Sequence, residues 1–362
     1  MCKFNFIAFL KSFVLLIALA LSWLFPALQP LPDPLERPDG RCVRTTAEWE
    51  AKRGDVTALL EEYVYGARPA YDLERYELLS ESYDDDVAPN AVTQMWKLFY
   101  GDGRSFTLRL TYPDAPGAYP TIMRYESLMD FRFPIEAEAV GQEKYCVAAI
   151  NYMEMFPDVG EPGLEHMHEA KAIMAWACGA SLALDFLETQ AVADTAHVLI
   201  TGHSRTGKAA LCATAFDERF ALCVPNSSGA AGASGLRKFD DKGSQGIDIA
   251  IHEPTWVSDR LADYADCVNK LPIDMNFARA LIAPRPILCT ESLDGGGSLW
   301  AGPRSTVKMW KSADRVYALY GAEENNLIHF RPGEHDQTAE DYRRMMEFAD
   351  HYFYGTPLDV LK

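Results

Sequence analysis

One seven-residue stretch carries the most legible chemistry: Gly202-His203-Ser204-Arg205-Thr206-Gly207-Lys208. It follows an apolar run, His197 to Thr201, that reads as a buried strand, and it leads into Gly207 to Phe216, which reads as a helix. A serine on a sharp strand-to-helix turn lifts its Oγ above the sheet edge and leaves the next backbone N–H aimed at a developing oxyanion. Gly202 and Gly207 allow the tight turn and close helix packing. The general pattern is G-x-S-x-G, and here Thr206 stands in the last glycine's place. On its own the serine would read as an ordinary loop or capping residue.

A hydroxyl of normal pKa is a weak nucleophile and needs a base. In proteins built on this turn, an acid and then a histidine follow the serine along the chain. The histidines after Ser204 are His252, His329, His335 and His351. His351 falls inside the closing helical pattern, and His329 reads as packed or hydrogen-bonded nearby. His335 lies in Arg331-Pro-Gly-Glu-His-Asp336, the turn before that helix, where the base belongs. The acid should leave a strand end between these two residues. The strand at 286–290 runs into Glu291-Ser-Leu-Asp294-Gly-Gly-Gly, which makes Asp294 the first choice and Glu291 the second. Carboxylates in loops are more often simply solvated. No metal is expected: in the one local cluster, Glu165-His166-Met167-His168, the histidines are two apart and point away from each other on a helix. The small-residue loop Ser227 to Gly235 lacks the lysine that a phosphate cradle requires.

These residues need a frame. The chain has 362 residues, 48% hydrophobic and 24% charged, as in ordinary globular proteins, which excludes a disordered or collagen-like chain. Lys and Arg number 34 against 52 Asp and Glu, for a net charge of −18 with no basic block. Such a surface repels phosphate backbones, so nucleic acid is excluded as a partner. The eight cysteines form no C-x-x-C pair, which argues against zinc ribbons and thioredoxin-like sites. Cys146, Cys178, Cys212, Cys223 and Cys289 lie in apolar segments and are expected as buried free thiols.

The pattern predicts a helix over 46–65 capped by Thr45 or Thr46, and a hairpin of 94–100 and 105–112 around Gly101-Asp102-Gly103. Strands are expected at 121–125, 146–152, 197–201, 220–225, 286–290 and 315–320. Helices are expected at 163–190, 207–216 and 339–354. Alternating strands and helices imply one α/β domain over 42–362, with a mostly parallel sheet covered on both faces.

The amino terminus points to export. Lys3 and Lys11 precede an apolar run from 12 to 25, the signal-peptide pattern, with Ala18-Leu19-Ala20 as a small-x-small cleavage site. The apolar character continues to Leu28, and from Phe4 that is 25 residues, broken by Lys11, against the about 20 consecutive apolar residues that span a bilayer. Residues 1–28 are therefore expected to be a signal peptide or an uncleaved inner-membrane anchor, and 29–41 a stiff Pro-rich linker. A periplasmic or extracellular location follows from either, and one or two disulfides stay open in such a compartment.

Gly-His-Ser-Arg-x-Gly-Lys resembles the serine motif of the glucuronoyl esterases, in particular their bacterial members. Ala175-Trp176-Ala177 with Leu184-Asp185, Ala280-Leu-Ile-Ala-Pro-Arg-Pro286, Leu299-Trp300-Ala301 and Arg331-Pro-Gly-Glu-His-Asp336 are similar to other blocks of that family. The likeness runs from about Glu165 to the carboxyl terminus and is weaker over the first 160 residues. It implies an α/β-hydrolase fold, a three-layer αβα sandwich, with no metal or cofactor. It implies cleavage of the ester between (4-O-methyl-)glucuronic acid on xylan and a lignin alcohol, by a protein expected as a monomer.

By position, Ser204 would be the nucleophile, His335 the base and Arg205 an oxyanion donor. Lys208 would bind sugar hydroxyls, Gln245 and Glu253 match a sugar-binding pair, and Trp300 matches a wall of the uronate pocket. There is one departure. Many members carry a catalytic Glu in the loop that here reads Asn226-Ser227-Ser228-Gly229, while other bacterial members place the acid after the next strand, where Asp294 lies. An acetyl-xylan or general carboxylesterase would use the same triad, although Lys208, Gln245, Glu253 and Trp300 favour a uronate ester. The missing loop Glu also raises a non-catalytic, carbohydrate-binding relative with a degenerate triad.

Overall fold

The structure, a computed structural model, describes residues 31–83, 90–101, 103–127, 134–156, 170–239, 243–293 and 298–358. The expected leader, Asp294 and the Glu165–His168 cluster lie outside the described residues. Among the described residues no helix is long and apolar enough to cross a membrane.

Helix α1 spans Thr46–Leu60 because Thr45, extended at φ −132°, accepts the Glu48 N–H on its Oγ1 at 3.2 Å. Its Trp49, Val56 and Leu60 are buried. The chain leaves through a wider turn, Glu61–Tyr65, that stops at Gly66 with φ +77°. Strands β1 (Leu73–Tyr83), β2 (Ala91–Tyr100) and β3 (Arg104–Pro113) form an antiparallel meander, and the β2–β3 hairpin is the one the Gly-Asp-Gly signal predicts. There follow β4 (Tyr119–Glu126), α2 (Pro134–Gly141), β5 (Cys146–Asn151), α3 (Ala172–Leu187), β6 (Ala193–His203), α4 (Arg205–Phe216) and β7 (Leu222–Asn226). The last part holds α5 (Asn276–Ile282), β8 (Ile287–Ser292), α6 (Pro303–Tyr320), β9 (Asn326–Arg331) and α7 (Ala339–Tyr354).

The nine strands lie in the order β1-β2-β3-β5-β4-β6-β7-β8-β9. From β5 to β9 every pairing is parallel, so six strands end on one edge. Successive residues of a central strand face opposite layers. Val198 and Ile200 join the core under α1, α3, α4 and α5, while Leu199 joins a second core with Met345 and Phe348 of α7. This is the three-layer α/β-hydrolase architecture, and it explains the unbroken apolar run of β6: a strand buried on both faces has no polar side.

One expectation is overturned. The stretch 315–320 is not a strand but the last turn and a half of α6, which ends at Gly321 with φ +63°. Its Val and aromatic residues suit a strand, yet Met309, Ala313, Val316 and Tyr317 recur at helical spacing on one buried face. The last strand is β9, six residues further on. Strand β1 has no counterpart in the sequence reading either, because almost its whole length is exposed and shows no inside–outside alternation.

The stretch expected as a linker rests on the domain from residue 32. The Asn276 side chain donates to Pro32 O at 2.8 Å, Lys52 Nζ donates to Pro34 O at 2.6 Å, and Leu35 is buried. The five cysteines named above are buried and, like Cys42 and Cys267, form no disulfide among the described residues.

Candidate active site

Strand β6 delivers the elbow. Ser204 has φ +54° and ψ −118°, a conformation costly for any residue with a Cβ. Three hydrogen bonds hold it: Ser204 N–H donates to Asn226 O at 2.9 Å, His203 N–H donates to Thr206 Oγ1 at 3.0 Å, and Thr206 Oγ1 donates to His203 O at 2.9 Å. Thr206 therefore clasps the turn from within. A Cβ on Gly202 would come within 2.4 Å of Thr206 O, and one on Gly207 within 2.8 Å of Gly202 O. The close approach that needs glycine falls at 207, one residue later than in the general pattern. Arg205 opens α4, so its N–H belongs to the first turn and points out of the helix's own ladder, beside Ser204.

His335, on the loop after β9, reaches Ser204: Nε2 to Oγ is 2.9 Å. Its ring lies between His203 (centroids 4.6 Å apart) and Trp300 (5.1 Å, edge to face). Asn226 turns its NH2 group to Thr290 Oγ1 at 2.7 Å, which leaves its Oδ1 to accept from His203 Nδ1 at 2.6 Å. Burial lowers the His203 pKa, and burial, then His203 and Lys208, push His335 down to about 4. At neutral pH both rings are uncharged, and His335 can present a lone pair to the serine.

The acid is less simply placed. His335 Nδ1 is buried, with no hydrogen-bond partner among the described residues. Glu291 is the penultimate residue of β8 and fully buried. Its Oε1 accepts from Thr306 Oγ1 at 3.2 Å, and its charge acts on Lys208.

Lys208, one turn beyond the serine, is wholly buried. Its three protons go to Ser228 O (2.6 Å), Ala230 O (2.6 Å) and Gln245 Oε1 (2.8 Å). Burial pushes its ammonium down to about 7, against the opposing charges of Glu291 and Glu253. Trp300 lies 5.5 Å from Nζ, and its carbonyl accepts the Gln245 N–H at 2.8 Å. Gly229, at φ +66°, lets the loop pass: a Cβ there would come within 2.8 Å of Gln245 Oε1 and 3.2 Å of Lys208 Nζ. Ser204, Arg205, His335, Lys208, Gln245 and Trp300 thus converge. Glu253, at the end of a short helical turn, acts on Lys208 through its charge alone.

Three contributors escaped the sequence reading. His203 carried a signal, since it is the motif's own variable residue beside the serine. Asn226, 22 residues later in the chain, and Trp256, whose ring the Arg205 guanidinium overlies at 5.3 Å, carried none. A cavity of about 460 Å³ also opens beside Ser204 and His335, reaching Arg124 and Tyr125 at the end of β4.

Comparison with known proteins follows the same line. The family described as "Glucuronyl esterase, fungi" matches residues 100–321, more than half of the chain. The chain is 30% identical over 395 residues to carbohydrate esterase MZ0003 of an unknown prokaryotic organism, covering 90% of both. It is 28% identical over 308 residues to 4-O-methyl-glucuronoyl methylesterase 1 of Wolfiporia cocos, covering 80% of this chain and 72% of that one. Among solved structures, a promiscuous CE15 esterase from a marine bacterial metagenome superposes with TM-score 0.78 at 27% identity, over 90% of this chain and 97% of that one. A CE15 glucuronoyl esterase from Caldicellulosiruptor kristjansonii superposes with TM-score 0.74 at 28% identity, over 91% and 92%.

Proposed function

The chain belongs to the glucuronoyl esterase family of carboxylic ester hydrolases, and on that premise we propose that it hydrolyses esters of (4-O-methyl-)D-glucuronic acid, as in lignin–glucuronoxylan cross-links. One observation carries the reading: a serine on a strained turn lies 2.9 Å from a neutral histidine, beside a lysine, a glutamine and a tryptophan gathered into one corner.

Ser204 Oγ attacks the ester carbonyl while His335 Nε2 takes its proton. The Arg205 N–H and guanidinium hold the oxyanion, a donor of this kind contributing about 3 kcal/mol. His335 returns the proton to the departing alcohol oxygen, and water cleaves the glucuronoyl-enzyme by the reverse proton path. Trp300, Gln245 and Glu253 would hold the uronate ring, and Lys208, its three protons donated inside the protein, fixes Gln245 and the loop after β7 behind them. Asp294 would orient His335 through Nδ1, as the order of residues along the chain favours, with Glu291, whose Oε1 accepts from Thr306 Oγ1, as the second candidate.

An export role fits the amino-terminal segment, whose apolar run would direct the chain to the periplasm or beyond, cleaved or as an anchor. The Ser204–His335 hydrogen bond favours a catalyst over a sugar-binding relative with a degenerate triad. The test compares benzyl glucuronate, acetylated xylan and p-nitrophenyl acetate. The expected order puts benzyl glucuronate well ahead. Equal or better turnover of the acetyl esters would replace this reading with that of an acetyl-xylan or general carboxylesterase.

A further inference from the structure

The base reaches the serine from a loop with little support of its own. The stretch 332–338 joins β9 to α7, and Pro332, Glu334 and Asp336 are exposed on it. A surface loop of this kind does not fix the direction of a ring by itself, although His335 meets Ser204 at 2.9 Å. The loop is wound around one side chain. Arg331, the last residue of β9, is buried. Its Nε donates to Asp341 Oδ2 at 2.6 Å. Its Nη1 donates to Pro332 O at 3.2 Å and Glu334 O at 3.3 Å, and its Nη2 to Glu334 O at 3.3 Å and to Asp336 O. Asp341 is buried in the first turn of α7, where its Oδ2 also accepts from Thr338 N–H at 2.8 Å and Thr338 Oγ1 at 3.0 Å. The Arg331 carbonyl accepts the Leu293 N–H at 2.9 Å, just past β8. We propose that Arg331, braced by Asp341, is a positioning residue for ester hydrolysis: its guanidinium is the template on which the loop folds so that His335 faces Ser204. The proposal rests on His335 as the base and deepens that reading.

Geometry, chemistry and energetics point the same way. The carbonyls of Pro332, Glu334 and Asp336 all turn inward onto one planar group. The Glu334 carbonyl belongs to the peptide plane that leads into His335, and the Asp336 carbonyl to the plane that leaves the residue after it. With both held, the ring between them has little freedom. Arginine suits this work because it presents five N–H donors in a rigid fork, whereas the three donors of lysine spread from a single point. Gly333 has φ +113°, and a Cβ there would come within 3.0 Å of Arg331 Nη1, so glycine is what lets the chain wrap so closely. The core does not need the ion pair, since apolar residues of similar volume often stabilise a fold as well. What an apolar pair could not do is hold three carbonyls in fixed directions.

The experiment separates the direction of the ring from the stability of the fold. Arg331→Lys keeps the charge and removes the fork. Its kcat on benzyl glucuronate should fall about a hundredfold, the cost of a misplacement of roughly 1 Å, with KM within about twofold of the wild type. Gly333→Ala leaves the ion pair in place and strains the loop around it. It should lose about tenfold in kcat, and it decides the matter should Arg331→Lys not fold. Both are measured well below their melting temperatures, on folded protein.

A second readout needs no glucuronate. When a fluorophosphonate labels Ser204, Oγ forms the bond to phosphorus, fluoride leaves with the electron pair of the P–F bond, and the serine proton passes to His335. The labelling rate should fall in each variant by the same factor as kcat. Wild-type kcat and labelling in either folded variant overturn the proposal, as does a loss confined to KM. If the wild type is labelled but cleaves no glucuronate ester, the substrate reading fails, and the labelling rates alone decide the role of Arg331. A wild type that is not labelled has no activated serine, and the proposal falls with it.

Discussion

The two flanks of the elbow are built on opposite plans. Toward β7 and β8, small buried residues close in on a lysine whose every proton is engaged, and glycine 229 leaves no room for a side chain. Toward β4 and β5, tyrosines surround an open cavity. A flank that is packed and fully hydrogen-bonded is rigid, because each group removed strands another in a place that water cannot reach. A flank with empty space can exchange occupants at little cost to the fold.

That contrast can be broken at several points. Ser204→Ala removes the element both flanks share and should cut kcat on benzyl glucuronate by about 10⁶, with the thermal melt retained. Residual turnover near the wild-type level would end the mechanism. Next in size is the acid. Asp294→Asn should cost up to about 10⁴ in kcat, whereas Glu291→Gln should chiefly lower the melting temperature by disturbing Lys208. The reverse pattern would reassign the acid to Glu291.

Lys208→Met then tests the packed flank directly. It leaves Ser228 O, Ala230 O and Gln245 Oε1 without their shared donor. A stability loss of about 2–3 kcal/mol should accompany a raised KM, measured by urea unfolding and steady-state kinetics on the same preparation. A raised KM with no loss of stability would mean that the two flanks are not built differently after all.

The smallest effect is one of pH. His335 acts as a base only when neutral, and burial, His203 and Lys208 hold it down at about 4 where no carboxylate reaches Nδ1, so in Asp294→Asn kcat/KM should stay level on the acid side until close to pH 4. In the wild type, the carboxylate proposed on Nδ1 favours the charged ring, so its acid limb should lie above that of Asp294→Asn; coincident limbs would mean that Asp294 does not reach Nδ1. Stability follows a fixed sign. Between pH 6.5 and 4 the unfolded chain binds protons that the folded His335 and His203 refuse. Stability therefore falls as pH drops through that window and levels off above it.

Much of this was legible in the residues themselves. The serine turn, the histidine before the closing helix and the helix at 339–354 are written in short spacings. Local spacing sets backbone dihedrals, caps and the face that a helix buries. Thr338, for instance, starts α7 with a capping box on Asp341. The misread stretch at 315–320 shows where such spacing is weakest: the six residues Arg-Val-Tyr-Ala-Leu-Tyr satisfy either period, and packing, chiefly against α5, decides between them.

Strand order is a different kind of fact. No spacing in the chain announces that β4 lies beside β6, that Asn226 steadies both Ser204 and His203, or that Lys208 spends its protons on backbone carbonyls. The amino-acid sequence by itself determined which groups this protein brings to an acyl transfer and the turn that presents the nucleophile. Only the tertiary structure decided which of them meet, because those contacts join residues that are distant in the chain and adjacent only across the sheet.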